Sequence, residues 1–125
     1  MAITDDGDVY TWGENLCYQL GHGDCQARYT PEKVIDISRI HTGDTCVFHC
    51  LVVDEENTIY GWGQTKDGQL GDVRVRRSAV FDPIEIFHGI QDKIVKICCG
   101  VRHNTILTEK GDVYAFGDNS VGQLG

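Results

Sequence analysis

Apolar and polar residues alternate in short runs broken by turn-forming residues, and no segment sustains a helical period. Three runs are the clearest: Asp8-Val9-Tyr10-Thr11-Trp12-Gly13, Thr58-Ile59-Tyr60-Gly61-Trp62-Gly63 and Asp112-Val113-Tyr114-Ala115-Phe116-Gly117. Each is preceded by a polar turn, Asp5-Asp6-Gly7, Glu55-Glu56-Asn57 or Glu109-Lys110-Gly111, and before that by an aliphatic residue, Ile3, Val53 or Leu107. Glycine and asparagine at the turn's last position tolerate the positive φ that tight hairpins demand. The pattern predicts a strand, a short turn and a strand ending on an aromatic residue and glycine. The fold class is all-β.

The aromatic positions recur 50 and 54 residues apart, and each motif leads into Gln-Leu-Gly, at Gln19-Leu20-Gly21, Gln69-Leu70-Gly71 and Gln123-Leu124-Gly125. His49 and His103 also share a register, 13 residues before the aromatic residue. After Gln-Leu-Gly come a polar stretch, a proline and another aliphatic run, at Pro31–Ile37 and Pro83–Ile86, followed in the second case by Lys93–Cys98. These read as outer strands. The units are approximately 1–42, 43–97 and 98–125. Along the aromatic strand, Tyr10 and Trp12, Tyr60 and Trp62, and Tyr114 and Phe116 share one face, opposite smaller residues. That suits a sheet held between two neighbours; the alternative is an ordinary hairpin with its aromatics in a single core. A repeat of about 50 strand-forming residues points to a propeller or array, whose units bury their apolar faces only against one another.

The run Cys98-Cys99-Gly100-Val101-Arg102-His103-Asn104-Thr105-Ile106-Leu107-Thr108-Glu109-Lys110-Gly111-Asp112-Val113-Tyr114-Ala115-Phe116-Gly117, continuing to Gly122-Gln123-Leu124-Gly125, resembles the regulator of chromosome condensation (RCC1) repeat. The resemblance extends over essentially the whole chain and implies an RCC1-like β-propeller of seven four-stranded blades, of which this chain holds about two to three. It departs from the pattern where Tyr18 stands in place of Gly68 and Gly122, where Cys46 takes a glycine's place before His49, and where Phe116 replaces tryptophan.

A ring of seven such units needs about 350 residues, against 125 here. The chain therefore reads as a fragment of a larger protein, with Met1 as an internal residue. The alternative is a genuine short protein that completes a ring by self-assembly. A ring hides its edges by closure. The isolated chain is expected to expose strand edges and an aromatic face, to be marginally stable and to self-associate.

The net charge of −8 gives no general attraction for phosphate backbones, which disfavours nucleic acid as a partner of this segment. Against that background Arg74, Arg76 and Arg77 form one basic cluster in the loop after Gly71, the candidate partner-binding loop; the plain alternative is a solvated loop. The six cysteines contain no Cys-x-x-Cys pair, and Cys17, His22 and Cys25 match no common zinc spacing. Cys46 and Cys50, read as one strand, would lie roughly 13 Å apart, too far to bridge. Free thiols fit a reducing, intracellular setting, in cytoplasm or nucleus. No segment is long and apolar enough for a transmembrane helix or a signal peptide.

A histidine needed for catalysis is needed once; His49 and His103 recur, so both read as structural, as do Tyr10, Tyr60, Tyr114, Trp12, Trp62 and Phe116. No nucleophile elbow, phosphate loop or carboxylate pair is visible. The chain is not read as an enzyme, and no cofactor or metal is expected. The leading functional reading is a non-catalytic platform for other proteins within a larger protein. The resemblance implies two alternatives: guanine-nucleotide exchange on a small GTPase, and a targeting domain in a ubiquitin ligase or kinase.

Overall fold

The computed structural model describes all 125 residues, as ten strands and no helix. The first sheet holds β1 (Ala2–Ile3), β2 (Val9–Gly13) and β3 (Arg28–Lys33). The second holds β4 (Ile40–Thr45), β5 (His49–Asp54), β6 (Ile59–Gln64) and β7 (Ala79–Ile86). The third holds β8 (Ile94–Cys99), β9 (His103–Thr108) and β10 (Val113–Gly117). Every pairing is antiparallel between strands consecutive in sequence, so each sheet is a meander closed by local turns. The second sheet is the complete unit. The first lacks a counterpart of β4, and the third lacks a counterpart of β7.

The hairpin turns form as the sequence predicts. Gly7, Asn57 and Gly111 take φ of 82°, 70° and 92°, and each turn closes on a backbone bond such as Gly7 N–H to Thr4 O at 2.9 Å. The sheets divide within residues 34–39 and 87–93, a few residues ahead of the boundaries the motif register suggests. Cutting at 42 or 97 would sever β4 or β8. These strands precede the motif of their own unit, so the motif alone does not reveal where a sheet opens.

β8 packs against β4 and β5, and β1 against β4, which stacks the three sheets side by side. The middle sheet is covered on both faces, and every residue of β5 is buried. Val9, Leu51, Ile59, Leu70, Ile94 and Ile106 fill the space between sheets.

Period-two alternation is broken at one informative place. The pairing of β2 with β3 slips between Thr11 and Gly13, and that of β6 with β7 between Gly61 and Gly63. Trp12 and Trp62 sit at these bulges, which re-aim a side chain relative to its strand. Trp62 is therefore buried while Tyr60 two residues earlier stays partly exposed, and Tyr114 is exposed outright. The tyrosines do not share the burial expected of one continuous aromatic face.

Candidate functional site

The contacts that hold neighbouring sheets together are built from the Gln-Leu-Gly loops. Asn15, 0 % exposed, organises the first loop: its Oδ1 accepts from Leu20 N–H at 3.0 Å, and its amide donates to Asp24 O and Gln26 O. Asn119 does the same for Leu124 N–H at 3.0 Å. The loop then presents a glycine and a carbonyl to the following sheet. The Trp62 indole lies against Gly21, where a Cβ would come within 2.8 Å of Nε1, and its N–H donates to Gln19 O at 2.9 Å. Phe116 lies against Gly71, where a Cβ would come within 2.6 Å of the ring. Both glycines also have positive φ, 75° and 69°. Close approach and backbone conformation thus exclude any other residue twice over.

Phenylalanine carries no N–H, so Gln69 O finds its donor elsewhere. Asn104 Nδ2 donates to it at 2.5 Å, and Asn104 Oδ1 accepts from His49 Nε2 at 2.6 Å. All three residues are buried, and the chain of bonds runs from the second sheet to the third and back. With Nε2 as donor, His49 is the neutral tautomer; burial pushes its pKa below the ordinary value, and the bond to Asn104 opposes that only partly. His49 Nδ1 has no partner. His103, at the same register, packs its ring on Gly100, where a Cβ would fall 2.3 Å away. Sequence reasoning had no signal for Asn104: it is one position past the recurring histidine, and its counterpart Cys50 differs in type.

Cys50 Sγ lies 3.1 Å from Gln19 O, to which its S–H can donate, and 2.8 Å from Thr45 Oγ1, whose hydroxyl can donate to the sulfur; burial pushes the thiol up to about 12. Cys46 and Cys50 do not share a strand. Thr45 stands opposite Cys50 across the β4–β5 hairpin, and Cys46 lies in the turn, so the 13 Å expected from one extended strand does not apply. All six cysteines are free. His22 bonds to Thr11 Oγ1 at 2.9 Å.

The arginine loop, residues 72–78, separates its three cations. Asp72 caps its own loop by accepting from Arg74 N–H at 2.9 Å and from Phe87 N–H at 3.1 Å, and its carboxylate pairs with the Arg74 guanidinium at 2.6 Å. The guanidinium beside it holds the Asp72 carboxyl far below the usual carboxylate range. Arg74 also lies over the Phe87 ring, 5.1 Å from its centroid. The three guanidinium groups of the cluster are thus not equivalent. Arg74 is committed within the chain, whereas the adjacent Arg76 and Arg77 are exposed and make no ion pair. The Arg77 carbonyl accepts from Thr65 Oγ1, which fixes the backbone beneath the pair. All three arginines line a cleft of about 240 Å³ with Val75, Val80 and Ile84.

The repeat description regulator of chromosome condensation (RCC1) matches residues 6–49 and 56–107, and a second description of that repeat matches 94–123. The chain belongs to the RCC1 repeat family. It is 35 % identical over 127 residues to the Danio rerio protein RCC2 homolog, covering all of this chain and 25 % of that protein. It is 34 % identical over 131 residues to the Mus musculus probable E3 ubiquitin-protein ligase HERC4, covering 12 % of it. Among solved structures it is similar to human WBSCR16, with a TM-score of 0.82 at 25 % identity over 92 % of this chain and 29 % of that one. It is similar also to Prp20p from Saccharomyces cerevisiae, with a TM-score of 0.82 at 23 % identity over 95 % of this chain and 28 % of that one. The chain thus spans an eighth to a quarter of the curated relatives' length, and its three sheets are blades of an RCC1-like propeller. No helix is long and apolar enough to cross a membrane.

Proposed function

We propose that this chain is a non-catalytic platform for other proteins, displayed as part of a larger RCC1-like propeller, and that Arg76 and Arg77 contact the partner. One observation carries the reading: a rigid stack presents two adjacent, unpaired guanidinium groups in a protein whose other arginines all pair with Asp or Glu. The fourth strand that the third sheet lacks need not cover them. The corresponding first-blade loop already has its next blade in place, with Gly23 N–H bonded to Phe81 O at 3.1 Å, and Gln26 there remains exposed. Arginine forks bind carboxylates in two-pronged fashion, and loops on rigid scaffolds carry recognition. The free cysteines fit a reducing compartment.

The test is site-specific photocrosslinking in cells with the full-length protein. A crosslinker at position 76 or 77 is expected to give a discrete protein adduct that Arg76→Glu with Arg77→Glu abolishes, and one at Glu56 on the opposite turns to give none. Equal labelling at all three positions would defeat the reading.

A second reading, guanine-nucleotide exchange on a small GTPase, is favoured by the likeness to Prp20p, described with its binding properties to Gsp1p and histones. At that identity the likeness is one of fold. Accelerated nucleotide release from a panel of small GTPases by the full-length protein would establish it. A targeting role beside a ligase domain, as the relation to HERC4 suggests, is one form of the first reading and is decided by the domains attached to this segment.

A further inference from the structure

Ser78 closes the arginine loop, immediately before β7, and its surroundings differ from those of the other serines. Ser38 and Ser120 each follow an aspartate, Asp36 or Asp118, and Ser120 Oγ donates to Asp118 Oδ2 at 2.8 Å. Ser78 follows Arg74, Arg76 and Arg77. It is exposed. Thr65 bonds the carbonyls of Arg77 and Ser78 and leaves their side chains outside, and the Ser78 hydroxyl is free. The exposure survives stacking. Counting back from the paired positions Arg28 and Val80, Cys25 and Gln26 are the first blade's counterparts of Arg77 and Ser78. Both are exposed with the outer strand of the next blade in place, where Gly23 N–H meets Phe81 O.

We propose that Ser78 is a phosphorylation site for a protein kinase that selects arginine ahead of its acceptor, and that the phosphate switches off the Arg76–Arg77 contact. The second half rests on the partner-binding reading above; the first does not. Recognition and consequence use the same two side chains. Arg76 and Arg77 have no carboxylate of their own, so their forks are open to the acidic substrate groove of such a kinase. In the step, Ser78 Oγ attacks the γ-phosphorus of ATP. The Oγ–P bond forms, the bond from that phosphorus to the β,γ-bridging oxygen breaks, ADP leaves, and the hydroxyl proton passes to the kinase's base. The product carries a charge of about −1.5 to −2 at neutral pH. Asp72, the one acid of the loop, is already bound to Arg74, so no free carboxylate there opposes the phosphate. Charge-assisted bonds from Arg76 and Arg77 to the phosphate then occupy the forks that a partner's carboxylate would take.

The test incubates the folded full-length protein with ATP and a panel of arginine-directed protein kinases and locates the phosphate by mass spectrometry. At least one kinase is expected to modify Ser78, and Ser78→Ala to abolish that signal. Arg76→Gln with Arg77→Gln should slow it about tenfold or more, the loss expected with charged hydrogen bonds; all three side chains are exposed, and overlaid unfolding curves check that the fold is kept. The site is overturned if no kinase modifies Ser78, if phosphate reaches it only after denaturation, or if the arginine substitutions leave the rate unchanged. The switch is read separately, as the affinity of the partner captured by crosslinking at positions 76 and 77. Phosphorylation is expected to weaken it about tenfold or more, and kinase-treated Ser78→Ala to bind as the unmodified protein does. Unchanged affinity overturns the switch. Failure to capture any partner with unmodified Ser78 defeats the partner-binding reading and the switch together, while the modification site stands or falls on the first measurement.

Discussion

The two inter-blade contacts solve one problem with different atoms. Between the first and second blades, Gln19 O is satisfied by the Trp62 indole and the Cys50 thiol, and Tyr18, held at a positive φ of 60°, stacks on Phe81. Between the second and third, Phe116 keeps the ring on the glycine but brings no donor. Asn104, at the position of Cys50, bonds the carbonyl instead and recruits His49. A long ion pair from Arg102 to Asp67 at 3.7 Å is added. A buried carbonyl must be paired, and the repeat fixes that demand without fixing who meets it.

The second contact is most vulnerable at Asn104. Asn104→Ala leaves Gln69 O and the His49 N–H buried without partners, and the loss is expected to be about 2–4 kcal/mol in denaturant unfolding. Trp62→Phe removes one of two donors from Gln19 O and should cost about 1–2 kcal/mol by the same measurement. Cys50→Asn in that background supplies Gln19 O with an amide donor, as Asn104 does for Gln69 O but without a histidine behind it; a double-mutant cycle should return a favourable coupling of about 1 kcal/mol. Absence of coupling would mean the two solutions are not interchangeable.

Acid should separate the contacts without mutation. His49 has a folded pKa below its ordinary value of 6.5, so the unfolded state takes up the proton first. Its contribution is complete above about pH 6.5 and declines as pH falls from there toward the folded pKa. The denaturation midpoint should drop between neutral and mildly acid pH, and His49→Gln should flatten that drop. In the first contact no histidine takes part in pairing the Gln19 carbonyl, so that pairing is not expected to share the drop. The smallest effect belongs to Arg102→Ala, expected within about 0.5 kcal/mol because the pair is long and Arg102 is half exposed.

The hairpins, the repeat register and the all-β class are legible in the sequence because turn glycines, alternation and the Gln-Leu-Gly motif act locally. The aromatic-to-glycine contact is only half legible. Both partners stand out, but they belong to different units, and spacing cannot say that Trp62 seats on Gly21 instead of on Gly71 of its own unit. Asn104 and His49 do not read as a pair because their bond crosses 55 residues and two blades. The arginine cluster is visible along the chain, but its grouping is not: only the folded loop shows that Asp72 has claimed Arg74.

The sheets break within residues 34–39 and 87–93, whereas the recognised repeats run 6–49 and 56–107. Heredity and architecture are thus out of phase in this molecule. A segment excised at a sheet's edge keeps its strands but forfeits the ring that its loop was shaped to receive, while one excised by repeat carries away one or two strands of its neighbour. Anyone grafting a unit elsewhere must therefore transplant a seam along with the cloth on both sides of it.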